Sequence, residues 1–578
     1  MSQERKSLLL VLWMFCGWAT AQDRIIIRGG TLVDVREANL IEGAVIVVEG
    51  DRIVSVSGAD EAVPSGEQTI NAAGKYILPG LIDLHVHYED WAGELYLNHG
   101  VTTVVDLGNV YEWIKAQKRG IESGFVPGPR LFHATENLDG PVPGGSVKRV
   151  VKTVEDPESA QLLMSQYLKD GVDAVKVYDQ LSEEVLRAIV AKAEEGDIPV
   201  IGHFKDVRVA ARVGAHGIEH THAVAQAIVD EQAREDARNR VRKGFPLMSQ
   251  SFMDGSKLPG IVQLMVEKGL YLNPTFRGSW QGDRALLEKG LHYEDFDLLL
   301  NDWRLRYVPL AFRLAVMKEY QEIGVWHWAD LSSYERDLFH QGYENTQRLV
   351  KAFVEAGGKL YAGTDSAHLS TPGLSLHQEL ELMVDAGVSP LQALQAATIN
   401  SAELMRMHNR LGALEEGKVG DVVILEANPL EDIRNTRKIW KVISRGKILD
   451  LDYHADFKNP LPRNYPEDSS HYFPSPEIQA VSPEVLKPGE ARASLTVTGT
   501  GFLPYSVVRL NGTRLPTRWV SGFELQADVA AELLRPGTHA ISVENPDFAW
   551  GTVSPAWHVA HLGLRSPISN DFLVLVPF

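Results

Sequence analysis

The chain has 578 residues, 44% of them hydrophobic, which is enough for roughly two to four globular domains rather than one core. Its formal net charge is −19, with 57 Lys and Arg against 76 Asp and Glu. That balance excludes the clustered basic surface that tracks phosphates, so no nucleic acid is expected as a partner. Residues 1–21, MSQERKSLLLVLWMFCGWATA, begin with Arg5 and Lys6, continue as an apolar run from Leu8 to Trp18, and end on Ala19-Thr20-Ala21. This is the pattern of a secretory signal cleaved after Ala21. An uncleaved membrane anchor is the competing reading, but the apolar run is too short to span a bilayer. The expected location is therefore secreted or periplasmic, with no stable membrane span after cleavage. The single cysteine, Cys16, lies inside this segment, so the cleaved chain has no disulfide and depends on its core for stability.

Residues 22–76 contain short β-branched runs broken by Gly-Gly, Glu-Gly-Ala and Gly-Asp, as in IIIRGGTLVDV and GAVIVVEGDRIVSVSG. These are strand and hairpin signals. A second strand-rich stretch lies at 411–450, and the two flanks together predict one composite β-sandwich domain.

The middle, 77–410, alternates strand-like runs with amphipathic helical stretches such as SEEVLRAIVAKAEEGD, the order of a parallel sheet covered by helices. Eight runs stand out: ILPGLIDLHVH, TTVVDLG, PRLFHAT, DAVKVY, PVIGHF, GIEHTH, LYLNPTF and KLYAGTD. Eight is the number for a (β/α)8 barrel. An open doubly wound sheet competes, but no Gly-rich phosphate loop follows the first run.

The polar residues of these runs are the candidate site. His85 and His87 alternate with Val86, so both face one side of a strand and can share a metal; two ordinary buried or surface histidines are the alternative. Lys176, His203, His220 and Asp365 also fall at or near the carboxyl ends of their runs, where barrel enzymes carry their active groups. Lys176 is the sharpest anomaly, because a barrel strand is covered on both sides and a bare ammonium there is costly. Burial favours its neutral amine, which can add carbon dioxide to form a carbamate. The competing reading is an ion pair with a carboxylate on a neighbouring strand.

As a set, GKYILPGLIDLHVHYE, HGVTTVVDLG, GVDAVKVY and KLYAGTDS resemble the strand motifs of the amidohydrolase superfamily, in particular its imidazolonepropionase and Xaa-Pro dipeptidase-like branch. The resemblance covers about residues 24 to 450 and continues through SLHQELELMVDAGVSPLQALQAATINSAELM and LGALEEGKVGDVVIL. It implies two divalent cations, zinc by the imidazole and carboxylate donors, although other transition metals accept the same set. By the same resemblance His85 and His87 bind the more buried cation, carbamylated Lys176 bridges, His203 and His220 bind the second, and Asp365 touches the first and serves as base.

Two features depart from the pattern. Where relatives often carry Gly-Gly-His, this chain has Gly144-Gly145-Ser146, and His222 after His220 reads as a solvent-facing loop residue. A long excursion between the seventh and eighth runs, about 280–345, carries Trp303, Trp326 and Trp328 and reads equally as a lid or as plain helix packing.

Residues 451–475 are Pro-rich and polar, as a linker is. Residues 476–578 show short alternating strands with Gly and Pro turns, a small β-sandwich signature. TVTGTGF and VRLNG there resemble the immunoglobulin-like IPT/TIG fold. That domain is expected to act as a spacer or as a contact for a second copy or a surface partner. The expected function is a secreted metal-dependent hydrolase of an amide bond in a small peptide-like or N-acyl substrate. Two alternatives stay open: a cyclic amidohydrolase or lactonase using the same site, and a noncatalytic binding or adhesion protein on an inactive barrel.

Overall fold

The computed structural model describes residues 24–58, 68–141, 150–309, 312–313, 315–316, 320, 322–323, 326–367, 370–461, 476–486, 492–500, 502, 506–521, 523–544 and 572–576. The signal-like segment 1–21, Gly144-Gly145-Ser146, and residues 462–475 lie outside the described residues.

The two β-rich flanks pair in one sheet. Strands β1 (Arg24–Asp34), β2 (Asn39–Glu49), β3 (Arg52–Ser57), β4 (Gln68–Asn71) and β5 (Tyr76–Pro79) come from the first flank. The chain then passes through the parallel strands β6 (Leu81–Val86), β7 (Val101–Asp106), β8 (Arg130–His133), β9 (Asn137–Asp139), β10 (Val151–Thr153), β11 (Val175–Val177), β12 (Val200–Gly202), β13 (Gly217–Glu219) and β14 (Tyr271–Asn273). A small pair, β15 (Glu322–Ile323) and β16 (Trp326–His327), precedes the returning strands β17 (Val422–Leu425), β18 (Ile439–Ser444) and β19 (Lys447–Ile448). The flank sheet has the order β19-β18-β17-β5-β1-β2-β3, with β4 on β1, so β5 from one flank meets β17 from the other. Its apolar residues alternate between two buried faces: Ile25, Ile27, Ile46 and Val48 pack on one side, and Ile26, Val45 and Val47 on the other. Each such fully buried side chain contributes about 1.5–3 kcal/mol, which offsets the backbone entropy of ordering the strands.

The parallel strands form the frame of the site. β6-β7-β8 make one sheet, and β10-β9-β11-β12-β13-β14 another. Thr135 N donates to the Ala174 carbonyl and Asp173 N to that of His133, joining the β8 run to β11. The eighth expected run, 359–365, has only bridge pairing: Leu272 N donates to Lys359 O and Tyr361 N to Leu272 O on one side, and Leu84 N to Ala362 O and Asp365 N to His85 O on the other. Helices Pro157–Asp170, Glu183–Glu195, Ser333–Glu355 and Leu374–Asp385 contribute to the main apolar core. Two of them start on complete capping boxes, Asp156 with Ser159 and Ser332 with Glu335.

The described residues of the 280–345 excursion pack against the barrel helices. Leu286, Leu291, Leu299, Leu305, Phe312 and Tyr320 are buried in the same core as the barrel helices, and Trp326 and Trp328 lie against it. Trp303 is 68% exposed and takes no part. A buried ion pair holds the excursion down, Arg277 Nη2 to Asp295 Oδ2 at 2.8 Å, and Asp295 also accepts from the Tyr320 and Thr371 hydroxyls. The first half of the expected linker is also docked. Asn98 Nδ2 donates to Leu451 O, Trp113 Nε1 and Gln117 Nε2 donate to Leu461 O, and the Phe457 ring lies 5.1 Å from that of Tyr307. Polar composition at 451–461 therefore marks a segment held by backbone carbonyls rather than a free spacer.

The C-terminal region is all-β. Glu477–Ser482, Arg492–Thr500, Glu524–Ala530 and Thr517–Ser521 form one antiparallel sheet; Thr513–Arg514, Val507–Leu510, Gly537–Glu544 and Phe572–Val576 form a second. Leu495, Val497, Leu525, Ala527, Ile541 and Val543, at every second position, supply its core.

Candidate metal centre

Six expected residues, on five strand ends, point into one region. β6 presents His85 and His87, both buried, and the 359–365 run lies beside it through the Asp365 N to His85 O hydrogen bond. Asp83, two residues before His85 and on the same face, anchors that pairing by accepting from Thr364 N at 3.1 Å and Thr364 Oγ1 at 2.6 Å. Burial pushes the Asp83 carboxyl up to about 7 in spite of those hydrogen bonds. Asp365 then stands among histidines: its Oδ1 is 3.0 Å from His87 Nε2 and 3.4 Å from His85 Nε2, and its Oδ2 is 3.9 Å from His220 Nε2. His87 donates from Nδ1 to the Gly108 carbonyl at 2.8 Å, which turns Nε2 toward Asp365.

His220 and Asp365 both have left-handed backbone, φ 58 and 60, as does Thr275 at the end of β14, φ 48. Non-glycine residues at such angles carry strain of about 1–3 kcal/mol and cluster where a strand end turns a functional side chain inward. The His220 ring lies 5.5 Å from that of His85 and 4.8 Å from that of His203. His203 stacks on Tyr178 at 4.4 Å with only 12° between the planes. Burial holds the His220 imidazole down at about 4 and that of His203 well below its ordinary value, so both are neutral donors near pH 7, the form a metal takes.

Lys176 is fully buried in β11 between Val175 and Val177, and its Nζ has no hydrogen-bond partner. Burial lowers its amine below the ordinary value although Glu219, Asp365 and Asp106 lie near enough to oppose that. None of these forms a salt bridge with it among the described residues, which leaves the ion-pair reading of Lys176 without a partner. The donor set fits divalent cations. His85, His87 and Asp365 offer ligand atoms within 4.8 Å of one another, and His85 and His220 do so with Glu219.

Glu219 was not among the residues singled out from sequence. Regular strand alternation would turn it away from the face of His220, its neighbour in the chain. The left-handed backbone at His220 breaks that alternation, and both side chains reach the site. The available signal was the one that marked Lys176, an ionisable residue inside a doubly covered strand. His222 is exposed at the start of a short helix and is not drawn in.

Barrel strands with a histidine and carboxylate centre at their carboxyl ends, beside a sheet built from both flanks, define a metal-hydrolase class of fold. The amidohydrolase family matches residues 76–449, more than half of the chain. This protein belongs to that family and, with it, to the hydrolases acting on carbon–nitrogen bonds. An imidazolonepropionase from Symbiobacterium thermophilum is 24% identical over 469 residues, 74% of this chain and 97% of its own. An adenine deaminase from Geobacillus kaustophilus is 28% identical over 233 residues, and the matched part spans only 38% of each chain. A solved Xaa-Pro dipeptidase with bound methionine in the active site superposes with a TM-score of 0.53 at 22% identity, covering 74% of this chain and all of that one. At that identity the likeness is one of fold.

Proposed function

We propose that this chain is a secreted, metal-dependent amidohydrolase that cleaves an amide bond of a small peptide-like or N-acyl substrate. The eight parallel runs are read as one closed (β/α)8 barrel, and the hydrogen bonds linking 359–365 to both β14 and β6 support that reading. Secretion rests on the signal-like first 21 residues, and no helix among the described residues is long and apolar enough to cross a membrane. The C-terminal sheets are read as an IPT/TIG-like spacer or contact module.

One observation carries the catalytic reading: Asp365 faces His85, His87 and His220 while Lys176 stands buried beside them with no hydrogen-bond partner. His85, His87 and Asp365 would hold one cation, His203 and His220 a second, and a Lys176 carbamate would join them. Bound there, divalent cations supply an activated water at neutral pH and polarise the scissile carbonyl. The rest is the work of the chain. Asp365 takes the proton of the attacking water on a carboxylate oxygen and delivers it to the departing amine nitrogen, acting as base and then as acid. Asp83 and Thr364 fix the backbone from which Asp365 reaches in. The half-buried Tyr178 ring, stacked on that of His203, shields one face of it from bulk water.

The test is turnover of metal-loaded protein on N-acyl amino acids, dipeptides, cyclic imides and lactones. Hydrolysis of an acyclic amide, lost on chelation and regained on metal return, is the expected result. Hydrolysis confined to cyclic imides or lactones would replace the substrate class. Stoichiometric metal with no turnover on any of them would favour a binding protein.

A further inference from the structure

β13 ends Gly217-Ile218-Glu219-His220, and the chemistry above uses only the last of these. Glu219 is 1% exposed. Its Oε1 accepts from the Tyr361 hydroxyl at 2.8 Å, and its Oε2 accepts from Asn273 Nδ2 at 3.2 Å and faces Nδ1 of His85. Tyr361 is itself fully buried, with its hydroxyl 3.2 Å from the Ile218 carbonyl. One carboxylate is thus held from β14 and from the 359–365 run and aimed at a ring on β6. Burying a carboxylate is costly unless partners compensate it, so packing alone does not account for it.

The two histidines of the H-x-H pair are tethered differently. His87 Nδ1 meets a backbone carbonyl, and His85 Nδ1 meets a carboxylate. In both rings Nε2 faces the same oxygen of Asp365, at 3.0 and 3.4 Å; at Nδ1 His87 makes a hydrogen bond, whereas His85 is in ion-pair contact with the carboxylate outside hydrogen-bond geometry. A carbonyl fixes the tautomer only. A carboxylate also pulls on the Nδ1 proton and makes the opposite nitrogen a stronger electron donor.

We propose that Glu219 is a positioning residue for the metal centre: it accepts the Nδ1 proton of His85, fixes Nε2 as the nitrogen offered to the cation, and strengthens it as a ligand. This rests on the metal reading given above. Tyr361 and Asn273 keep the carboxylate from turning away, and Tyr361 therefore acts on the cation through two intermediaries.

The experiment compares zinc affinity, by chelator competition, in the full-length wild type, Glu219→Gln and Tyr361→Phe, with metal content at saturation and the melting temperature of the metal-free proteins measured alongside. Glu219→Gln keeps the shape and removes the charge. Its zinc affinity is expected to fall about 10- to 100-fold, with the wild-type stoichiometry still reached at saturating zinc. Tyr361→Phe is expected to lose less, in the same direction. Unchanged affinity in both variants overturns the proposal, whatever happens to the melting temperatures. Permanent loss of one metal in Glu219→Gln also overturns it, since that is how a direct ligand behaves. If Glu219→Gln does not fold, the affinity of Tyr361→Phe decides alone. A wild-type protein that takes up no zinc removes the metal reading, and this proposal with it, whereas a loaded wild type with unaltered variants removes only Glu219.

Discussion

Buried histidines occur both at the barrel strand ends and in the C-terminal sheets, and their surroundings are opposite. His539, 7% exposed, has both ring nitrogens engaged inside its own domain, Nδ1 with Asn511 Nδ2 at 2.8 Å and Nε2 with the Arg535 carbonyl at 2.6 Å. Nearby, Glu544 meets Arg509 and Arg514. At the strand ends His85, His87 and His220 turn Nε2 toward one shared carboxylate, His220 Nδ1 and Lys176 Nζ have no hydrogen-bond partner, and two of the contributing residues hold strained backbone. His539 and Glu544 are satisfied within their own domain, whereas at the strand ends His220 Nδ1 and Lys176 Nζ are not.

The comparison breaks if strand-end substitutions behave like structural ones. Lys176→Ala has the largest expected effect: metal per chain falls from about two towards one, activity collapses, and the fold survives, because a buried ionisable group is seldom retained for stability. Acetate or formate is expected to restore part of both, by filling the place of the carbamate. Elemental analysis with and without acetate checks this, and unchanged stoichiometry with retained activity would take Lys176 out of the site.

Asp365→Asn is expected to keep fold and metal content while turnover drops about 100-fold or more, the scale of lost proton transfer. Steady-state rates of the loaded variant decide it, and near-normal turnover would end the assignment.

Glu335→Gln sharpens the other side. The Glu335 carboxyl caps the helix Ser333–Glu355, accepting from Ser332 N and Oγ and from Arg242 N and Nε. Burial pushes it up, but these donors prevail and hold it at about 2, below its ordinary 4.5. A depressed carboxyl contributes stability above its unfolded pKa and loses it as pH falls through the folded one. The variant is therefore expected to be about 2 kcal/mol less stable at pH 7, with the gap closing between about pH 4.5 and about 2, and with kcat unaltered. Denaturant titrations across that range measure it, and a gap that widens in acid would contradict the assignment.

His539→Ala is expected to cost about 1–2 kcal/mol, confined to the C-terminal sheets, with metal content and turnover unchanged. Differential calorimetry would register it as a shift in one transition. The smallest effect concerns the tail: a chain ending after Leu461 is expected to fold and turn over like the whole. One ending at Leu449, lacking the contacts of 451–461 with Asn98, Trp113 and Gln117, is expected to melt a few degrees lower. Equal melting temperatures would make those contacts idle.

Periodicity by itself determined a good deal here. Apolar runs of period two and helices of period near four gave the α/β middle and the β-rich flanks, because side-chain direction follows from backbone geometry alone. The same rule put His85 and His87 on one face and marked Lys176 as out of place on a doubly covered strand. Composition misled at 451–461, since a polar segment docked through its backbone carbonyls looks like a free one. Tertiary structure decided the rest. Glu219 faces the site where the backbone at His220 takes a left-handed turn that breaks alternation, and the described part of the 280–345 excursion packs where Asp295 finds Arg277, Tyr320 and Thr371 at once. Both depend on partners far apart in the chain, and a local pattern carries no information about which distant donor will arrive beside a given acid.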